Sequence, residues 1–231
     1  MTPVSRAAFF DVDETLVTQK TMFGFLRFHL AATGRPAADY EEAYRAIQTL
    51  KDRGATREAA NRAYYTLYAG ASAAELAVQG RAWYAEQERA GGFYHGPGTQ
   101  ALRRHQTSGD ATVLVSGSFF PCLDPIAEHL RTTAVLGTPV VVREGRLTGE
   151  VRRPMIGAAK ADAATAWAAA RGIDPAGCHA YGDHASDLEL LRAVGHPVAV
   201  GPDPVLRAHV ARAGGRTLPG LDALAARGRR R

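Results

Sequence analysis

Apolar positions along this chain follow two different rhythms. Residues 6–10 (Arg6-Ala7-Ala8-Phe9-Phe10) form a short apolar run that stops abruptly at Asp11, as a buried strand does where its carboxyl end meets polar groups. From Met22 to about Glu88 the spacing becomes helical. Apolar and aromatic residues recur as Met22, Phe25, Leu26, His29 and Leu30, then Tyr40, Tyr44, Ile47 and Leu50, then Tyr64, Tyr65, Leu67 and Tyr68, then Leu76, Trp83 and Tyr84. Breaks at Gly34-Arg35-Pro36, Gly54, Gly70-Ala71-Ser72 and Gly91-Gly92 divide this stretch into four predicted helices with no strand. Ser72 followed by Glu75 has the pattern of a capping box at the start of the fourth.

After Gly96-Pro97-Gly98 strand and helix alternate. The pattern predicts helices over 99–107, 121–130, 158–170, 187–194, 203–213 and 222–227. It predicts strands over 111–115, 133–136, 178–182 and 197–200, and a hairpin over 140–148 that turns at Glu144-Gly145. Alternation of this kind predicts an α/β fold, a three-layer Rossmann-like core whose parallel sheet is covered on both faces. The helical stretch after the first strand is too long for a simple crossover. It is expected to be an inserted helical cap over 20–95, with residues 1–19 and 96–231 forming the core.

Composition adds the class. Apolar residues make up 46% and charged residues 22% of 231, the balance of an ordinary globular protein with a core large enough to need no disulfides. Cys122 and Cys178 lack metal-type spacing, no basic and apolar leader precedes the first strand, and no apolar stretch reaches the length of a membrane span. The expectation is a reduced, cytoplasmic protein with no membrane or nucleic-acid role, which leaves room for a homodimer. The net charge of +5 comes partly from the last five residues, Arg227-Gly228-Arg229-Arg230-Arg231, a basic end without interleaved aromatics.

Ligands of open parallel sheets bind beyond the carboxyl ends of the strands. Polar clusters stand at those ends: Asp11-Val12-Asp13-Glu14-Thr15, Ser116-Gly117-Ser118, and Gly182-Asp183-His184-Ala185-Ser186-Asp187, with Lys160 at a helix start. Two carboxylates one residue apart can share a phosphorus attack and a proton transfer, and their mutual repulsion invites a cation such as magnesium. A turn capped by Thr15 would explain the first cluster equally well. Ser116 and the Gly117 amide can cradle an anion, though Ser-Gly-Ser is often only a turn. Lys160, one of three lysines, offers a point charge to a phosphate oxygen. Asp183 could ligate a metal, and Asp187 could orient Lys160 or a metal-bound water.

Together, Asp11-x-Asp13-x-Thr15, Ser116, Lys160 and Gly182-Asp183-x-x-x-Asp187, in this order and at strand ends, resemble the haloacid dehalogenase superfamily. The helical insert, Phe9-Phe10-Asp11-Val12-Asp13 and Tyr181-Gly182-Asp183 resemble its phosphoserine-phosphatase-like branch. The resemblance implies a magnesium-dependent phosphatase for a small phosphate ester. Asp11 would be the nucleophile that becomes an aspartyl phosphate, and Asp13 the general acid and base. Asp11, Asp183 and the backbone carbonyl of Asp13 would hold Mg2+; Ser116, Gly117 and Lys160 would bind the phosphoryl group; Asp187 and Thr15 would support them. The second acid, Asp13, implies a phosphate ester in place of a carbon–halogen bond. A phosphomutase or phosphotransferase using the same intermediate, and a non-catalytic phosphate-binding module, remain alternatives.

Two positions depart from the branch. Glu14 brings a further negative charge near the metal and is expected to turn away from the phosphate. Lys20 stands where phosphoserine phosphatases carry an acid for the substrate ammonium. At about 4 Å and an effective dielectric near 20, like charges disfavour each other by roughly 4 kcal/mol before screening. The expected leaving group is therefore a sugar, cyclitol or other non-amine. His184, beside Asp183, is a further specificity candidate. Phe23, Tyr64, Tyr65, Tyr68, Trp83 and Tyr84 are expected to be mostly cap core.

Overall fold

A computed structural model describes residues 5–223. Six strands form one parallel sheet: β1 (Ala7–Phe10), β2 (Ala111–Val115), β3 (Ala134–Leu136), β6 (His179–Gly182), β7 (His196–Val200) and β8 (Arg216–Leu218), in the order β3-β2-β1-β6-β7-β8. A separate antiparallel hairpin pairs β4 (Val140–Arg143) with β5 (Arg146–Val151). The helices are α1 (Thr21–Ala32), α2 (Ala37–Asp52), α3 (Arg57–Thr66), α4 (Ala73–Ala90), α5 (Gly96–Thr107), α6 (Phe120–Leu130), α7 (Ala158–Ala169), α8 (Leu188–Arg192) and α9 (Pro204–Arg212).

Strand alternation sends side chains of β1 to opposite faces. Ala8 and Phe10 join Leu114, Val198 and Val200 on the face covered by α5 and α6, through Leu102, Leu123 and Ile126. Ala7 and Phe9 join Val113, Ala180 and Ala199 on the other face, against Trp167 of α7, Leu190 and Leu191 of α8 and Leu206 of α9. Both faces are thus covered, the predicted three-layer α/β arrangement.

Helices α1–α4 follow β1 as predicted, and their aromatic stripe is buried. Tyr64, Tyr65, Tyr68 and Trp83 are each at most 1% exposed and pack with Phe25, Phe119 and Cys122 in the same cluster as Phe10. The insert therefore shares its apolar interior with α6, through ring contacts such as Tyr65–Phe119 at 5.1 Å between centroids. Ser72 caps α4 by accepting from the Glu75 amide at 3.3 Å, one half of the expected capping box.

The short strand β8 was not among the predicted elements. Arg216-Thr217-Leu218 carries one large apolar residue, and two of its three positions are exposed, so no hydrophobic pattern marks it. The helix predicted over 222–227 lies mostly outside the described residues, as does the basic end. Cys122 and Cys178 are both buried and unpaired. Among the described residues, no helix is long and apolar enough to cross a membrane.

Candidate active site

The chain runs outward in sequence from β1 to β2 and β3, then returns to the other side of β1 with β6. The order reverses between β1 and β6, which opens a crevice at their carboxyl ends. Phe10 lies in register with Leu114 and Tyr181, so the segments beginning at Asp11, Ser116 and Asp183 emerge side by side. A cavity of about 150 Å³ at this edge is lined by Asp11, Asp13, Lys20, Ser116, Gly117, Lys160, Asp183, His184 and Asp187, among others. The clusters that the sequence scatters over more than 170 residues meet here.

Lys160, in the first turn of α7, is buried and bonds two acids. Its ammonium lies 2.5 Å from Asp11 Oδ1 and 2.6 Å from Asp187 Oδ1. Burial opposes its charge, but the charges of Asp11 and Asp187 outweigh burial and hold its pKa above the ordinary value. Three N–H donors and two acids leave one donor for a phosphoryl oxygen. Gly182 makes this packing possible: a Cβ there would lie 2.5 Å from Asp187 Cβ.

One ammonium cannot offset the acids gathered around it. Ligand atoms of Asp11, Asp183 and Asp187 all lie within 4.8 Å of one another. Burial pushes the Asp11 carboxyl up to about 7, with Lys160 pulling the other way and Asp187 and Asp13 adding to the rise. Burial, then the charges of Asp11, Asp187 and Glu14, push Asp183 up to about 9. A divalent cation bound here would supply the missing positive charge, and an all-oxygen donor set suits a hard ion such as magnesium. Asp187 belongs to this cluster by distance, although its Oδ1 is engaged by Lys160. The Asp13 carboxylate is not part of it.

Asp13 is held differently. Its Oδ1 accepts from the Thr21 amide at 3.0 Å and the Thr21 hydroxyl at 2.7 Å. Burial raises its pKa, against these two hydrogen bonds. Its Oδ2 is the oxygen left to carry a proton. The single Thr21 hydroxyl proton is spent on Asp13, so Ser118, 3.1 Å away, donates to Thr21. Thr15 is fully buried, with its hydroxyl 3.5 Å from Asp183 Oδ1.

The loop after β2 is clamped from several sides. Ser116 Oγ accepts from the Ser118 amide at 3.1 Å. The Gly117 carbonyl accepts from Asn61 Nδ2 (3.0 Å), Tyr65 OH (2.8 Å) and Thr138 Oγ1 (2.8 Å).

Glu14 lines the cavity, and its carboxylate lies 3.3 Å from the Lys20 ammonium. Its backbone is left-handed (φ 63°), a conformation that glycine and asparagine adopt more readily than glutamate. His184 lies beside Arg57, with ring nitrogens 3.0 and 3.2 Å from the guanidinium; burial and then Arg57 lower its pKa. Of the cap aromatics, Phe23 and Tyr64 line the cavity, whereas Tyr65, Tyr68, Trp83 and Tyr84 do not.

Sequence reasoning missed Lys51, Arg57 and Asn61, which also line the cavity. Lys51 shared with Lys160 the one available signal, rarity of lysine in an arginine-rich chain. Asn61 carried none.

A family model described as haloacid dehalogenase-like hydrolase matches residues 8–192. An "inhibition of morphological differentiation protein" of Streptomyces azureus is 30% identical over 213 residues, 87% of this chain and 73% of that protein. A protein of Mycobacterium tuberculosis named phosphoserine phosphatase SerB1 is 32% identical over 213 residues, 88% of this chain and 67% of that protein. A crystal structure of a protein of unknown function from Bordetella pertussis superposes with a TM-score of 0.82 at 27% identity, covering 93% of this chain and 98% of the other.

Proposed function

This chain belongs to the haloacid dehalogenase-like hydrolases, and on that footing we propose that it is a magnesium-dependent phosphatase that cleaves a small phosphate monoester through an aspartyl phosphate on Asp11. The observation that carries this reading is the contact of Asp11 with Lys160 in a cavity shared with Asp13, Ser116 and Asp183. We take residues 20–95 as the cap and residues 1–19 with 96–231 as the core.

The chemistry follows from the side chains. Lys160 holds Asp11 Oδ1, which leaves Oδ2 as the oxygen that attacks phosphorus. The bond from phosphorus to the leaving oxygen breaks as Asp13 Oδ2 delivers its proton, and burial favours the protonated acid needed for that step. Asp13 then takes a proton from water, whose oxygen attacks phosphorus, releasing phosphate and regenerating the Asp11 carboxylate. Ser116, the Gly117 amide and the third proton of Lys160 bind the phosphoryl oxygens throughout. Asp11, Asp183 and the Asp13 carbonyl would hold magnesium, which would offset charge on the transferring phosphoryl group.

The leaving group is proposed to lack an ammonium. Lys20, Lys51 and Arg57 line the cavity, and the acid nearest to Lys20, Glu14, is already paired with it. That pairing reduces the repulsion expected from Lys20 alone, but Lys51 and Arg57 add to it. The name of the Mycobacterium tuberculosis relative favours a second reading, phosphoserine hydrolysis.

Two compounds separate these readings. 3-Phosphoglycerate differs from phosphoserine by a hydroxyl in place of the ammonium. Phosphate release should be at least tenfold more efficient from 3-phosphoglycerate; efficient, selective release from phosphoserine would establish the second reading. In a metabolite screen with magnesium, Asp11→Asn should abolish all turnover. Full activity of that variant, or transfer of phosphate to a second hydroxyl without release, would remove the hydrolase proposal.

A further inference from the structure

Of the 28 Lys and Arg residues in the chain, only three are lysines, Lys20, Lys51 and Lys160. All three line the cavity that holds Asp11, and one arginine, Arg57, joins them. Lys160 is committed to the reacting phosphoryl group. The other three cations come from the helical insert: Lys20 just before α1, Lys51 in the last turn of α2, and Arg57 at the start of α3.

Exposed cations usually face solvent beside an acid. Among the described residues, neither Lys51 nor Arg57 forms an ion pair with a carboxylate, and Lys20 has only Glu14, an exposed pair of modest strength. Lys51 is held below its ordinary pKa by burial first and then by the charges of Arg57 and Lys20, while Asp52 opposes this least. The three cations therefore sense one another across the cavity mouth. Each is anchored: the Lys51 ammonium lies 5.7 Å from the centre of the Phe23 ring, Arg57 lies against His184, and Lys20 against Glu14. Mutually repelling cations around a concave surface, two of them without a carboxylate partner among the described residues, concentrate field there and attract anions. The phosphoryl group has its own site at Lys160 and Ser116, so these cations are left for something else on the substrate.

We propose that the leaving group carries a second anionic group, a phosphate or a carboxylate, bound by Lys51 and Arg57 with Lys20 at its flank. The substrate class is then a phosphomonoester charged at both ends, a bisphosphate or a phosphorylated acid. This inference rests on the phosphatase reading of the Asp11 site.

Matched pairs test it. Initial rates of phosphate release are compared for fructose 1,6-bisphosphate against fructose 6-phosphate, and for 3-phosphoglycerate against glycerol 3-phosphate. The member with the second anion should have a kcat/KM at least 30-fold higher in one pair or both, and the larger ratio identifies phosphate or carboxylate. Lys51→Met and Arg57→Met should each cut that ratio tenfold or more. Ratios within threefold of unity in both pairs, with phosphate still released, would overturn the second-anion site and leave the phosphatase reading standing. If no compound releases phosphate, the phosphatase reading fails, and calorimetry decides the anion site separately. Fructose 1,6-bisphosphate should then bind at least tenfold more tightly than fructose 6-phosphate and lose that advantage in Lys51→Met; equal affinities reject the proposal.

Discussion

The hydroxyl of Tyr65 donates to the Gly117 carbonyl at 2.8 Å, so a helix of the insert grips the loop proposed to bind phosphate. Asn61, one turn earlier on the same helix, donates to the same oxygen. Tyr65→Phe removes one of three donors without leaving an unpaired group, since Asn61 and Thr138 still satisfy the carbonyl. Its cost should be about 1 kcal/mol of stability in a denaturant melt. Turnover should fall less than tenfold. Asn61→Ala combined with Tyr65→Phe should lose more activity than the two single effects multiplied, because only Thr138 then holds the Gly117 carbonyl.

Lys160 and Asp187 form the buried pair whose disruption is most informative. Lys160→Met strands Asp11 and Asp187 without their cation, and breaking such a pair costs about 3–5 kcal/mol unless the acids take up protons. Activity should fall at least a thousandfold. Asp187→Asn leaves Lys160 bonded to Asp11 and should be milder in both respects. Adding Asp187→Asn to Lys160→Met should recover part of the stability lost, but none of the activity. A double-mutant cycle by thermal melting and initial rates checks both statements.

The contrast between these residues explains what the chain disclosed in advance. Asp11, Asp13, Lys160 and Asp183 stand at the ends of strands or the start of a helix, where hydrophobic pattern marks the boundary and chemistry follows directly. The four insert helices were legible for the same reason, through apolar spacing. Lys51, Arg57 and Asn61 were not. They sit on helices whose packing faces dominate the pattern, and only tertiary placement turns them toward the cavity. The left-handed backbone at Glu14 was not legible either, because no periodicity reports a φ of 63° at one residue. Strand β8 escaped because a sheet edge needs little apolar surface.

At the other end of the sheet, His179 stacks on His196 and meets the tilted ring of His105, with ring centroids 4.6 and 4.5 Å apart. Burial, then the neighbouring charges of His105, His196 and Arg216, push His179 down to about 4, with Asp110 opposing. The unfolded chain takes up its proton near 6.5, the folded one near 4. Between those values the unfolded state binds more protons, so this residue's contribution to stability is present above about pH 6.5 and is lost as pH falls toward 4. His179→Asn should flatten the acid side of a plot of Tm against pH, relative to the parent protein. Parallel curves from pH 7 to 4 would contradict this.

Gly80 tests how the insert is seated. It lies in α4, where an added Cβ would fall 2.1 Å from the carbonyl oxygen of Pro121, in the first turn of α6. The two helices therefore meet backbone to backbone, and α6 begins just beyond Ser116-Gly117-Ser118. In an exposed helix interior, replacing glycine by alanine is stabilising by up to about 1 kcal/mol, through lower chain entropy in the unfolded state. Here the methyl group has no room, because the obstacle is main chain and not a side chain that can rotate away. Gly80→Ala should instead destabilise by about 1–3 kcal/mol, the usual cost of overpacking. For a chain of this length that corresponds to roughly 2–10 °C in Tm. Because relief requires α4 and α6 to separate, the loop ahead of α6 should shift as well, and kcat should fall together with Tm. Val78, two positions earlier and 60% exposed, provides the control: Val78→Ala should leave both unchanged. A Gly80→Ala protein with raised Tm and parental kcat would mean that α4 does not pack on α6 in this way.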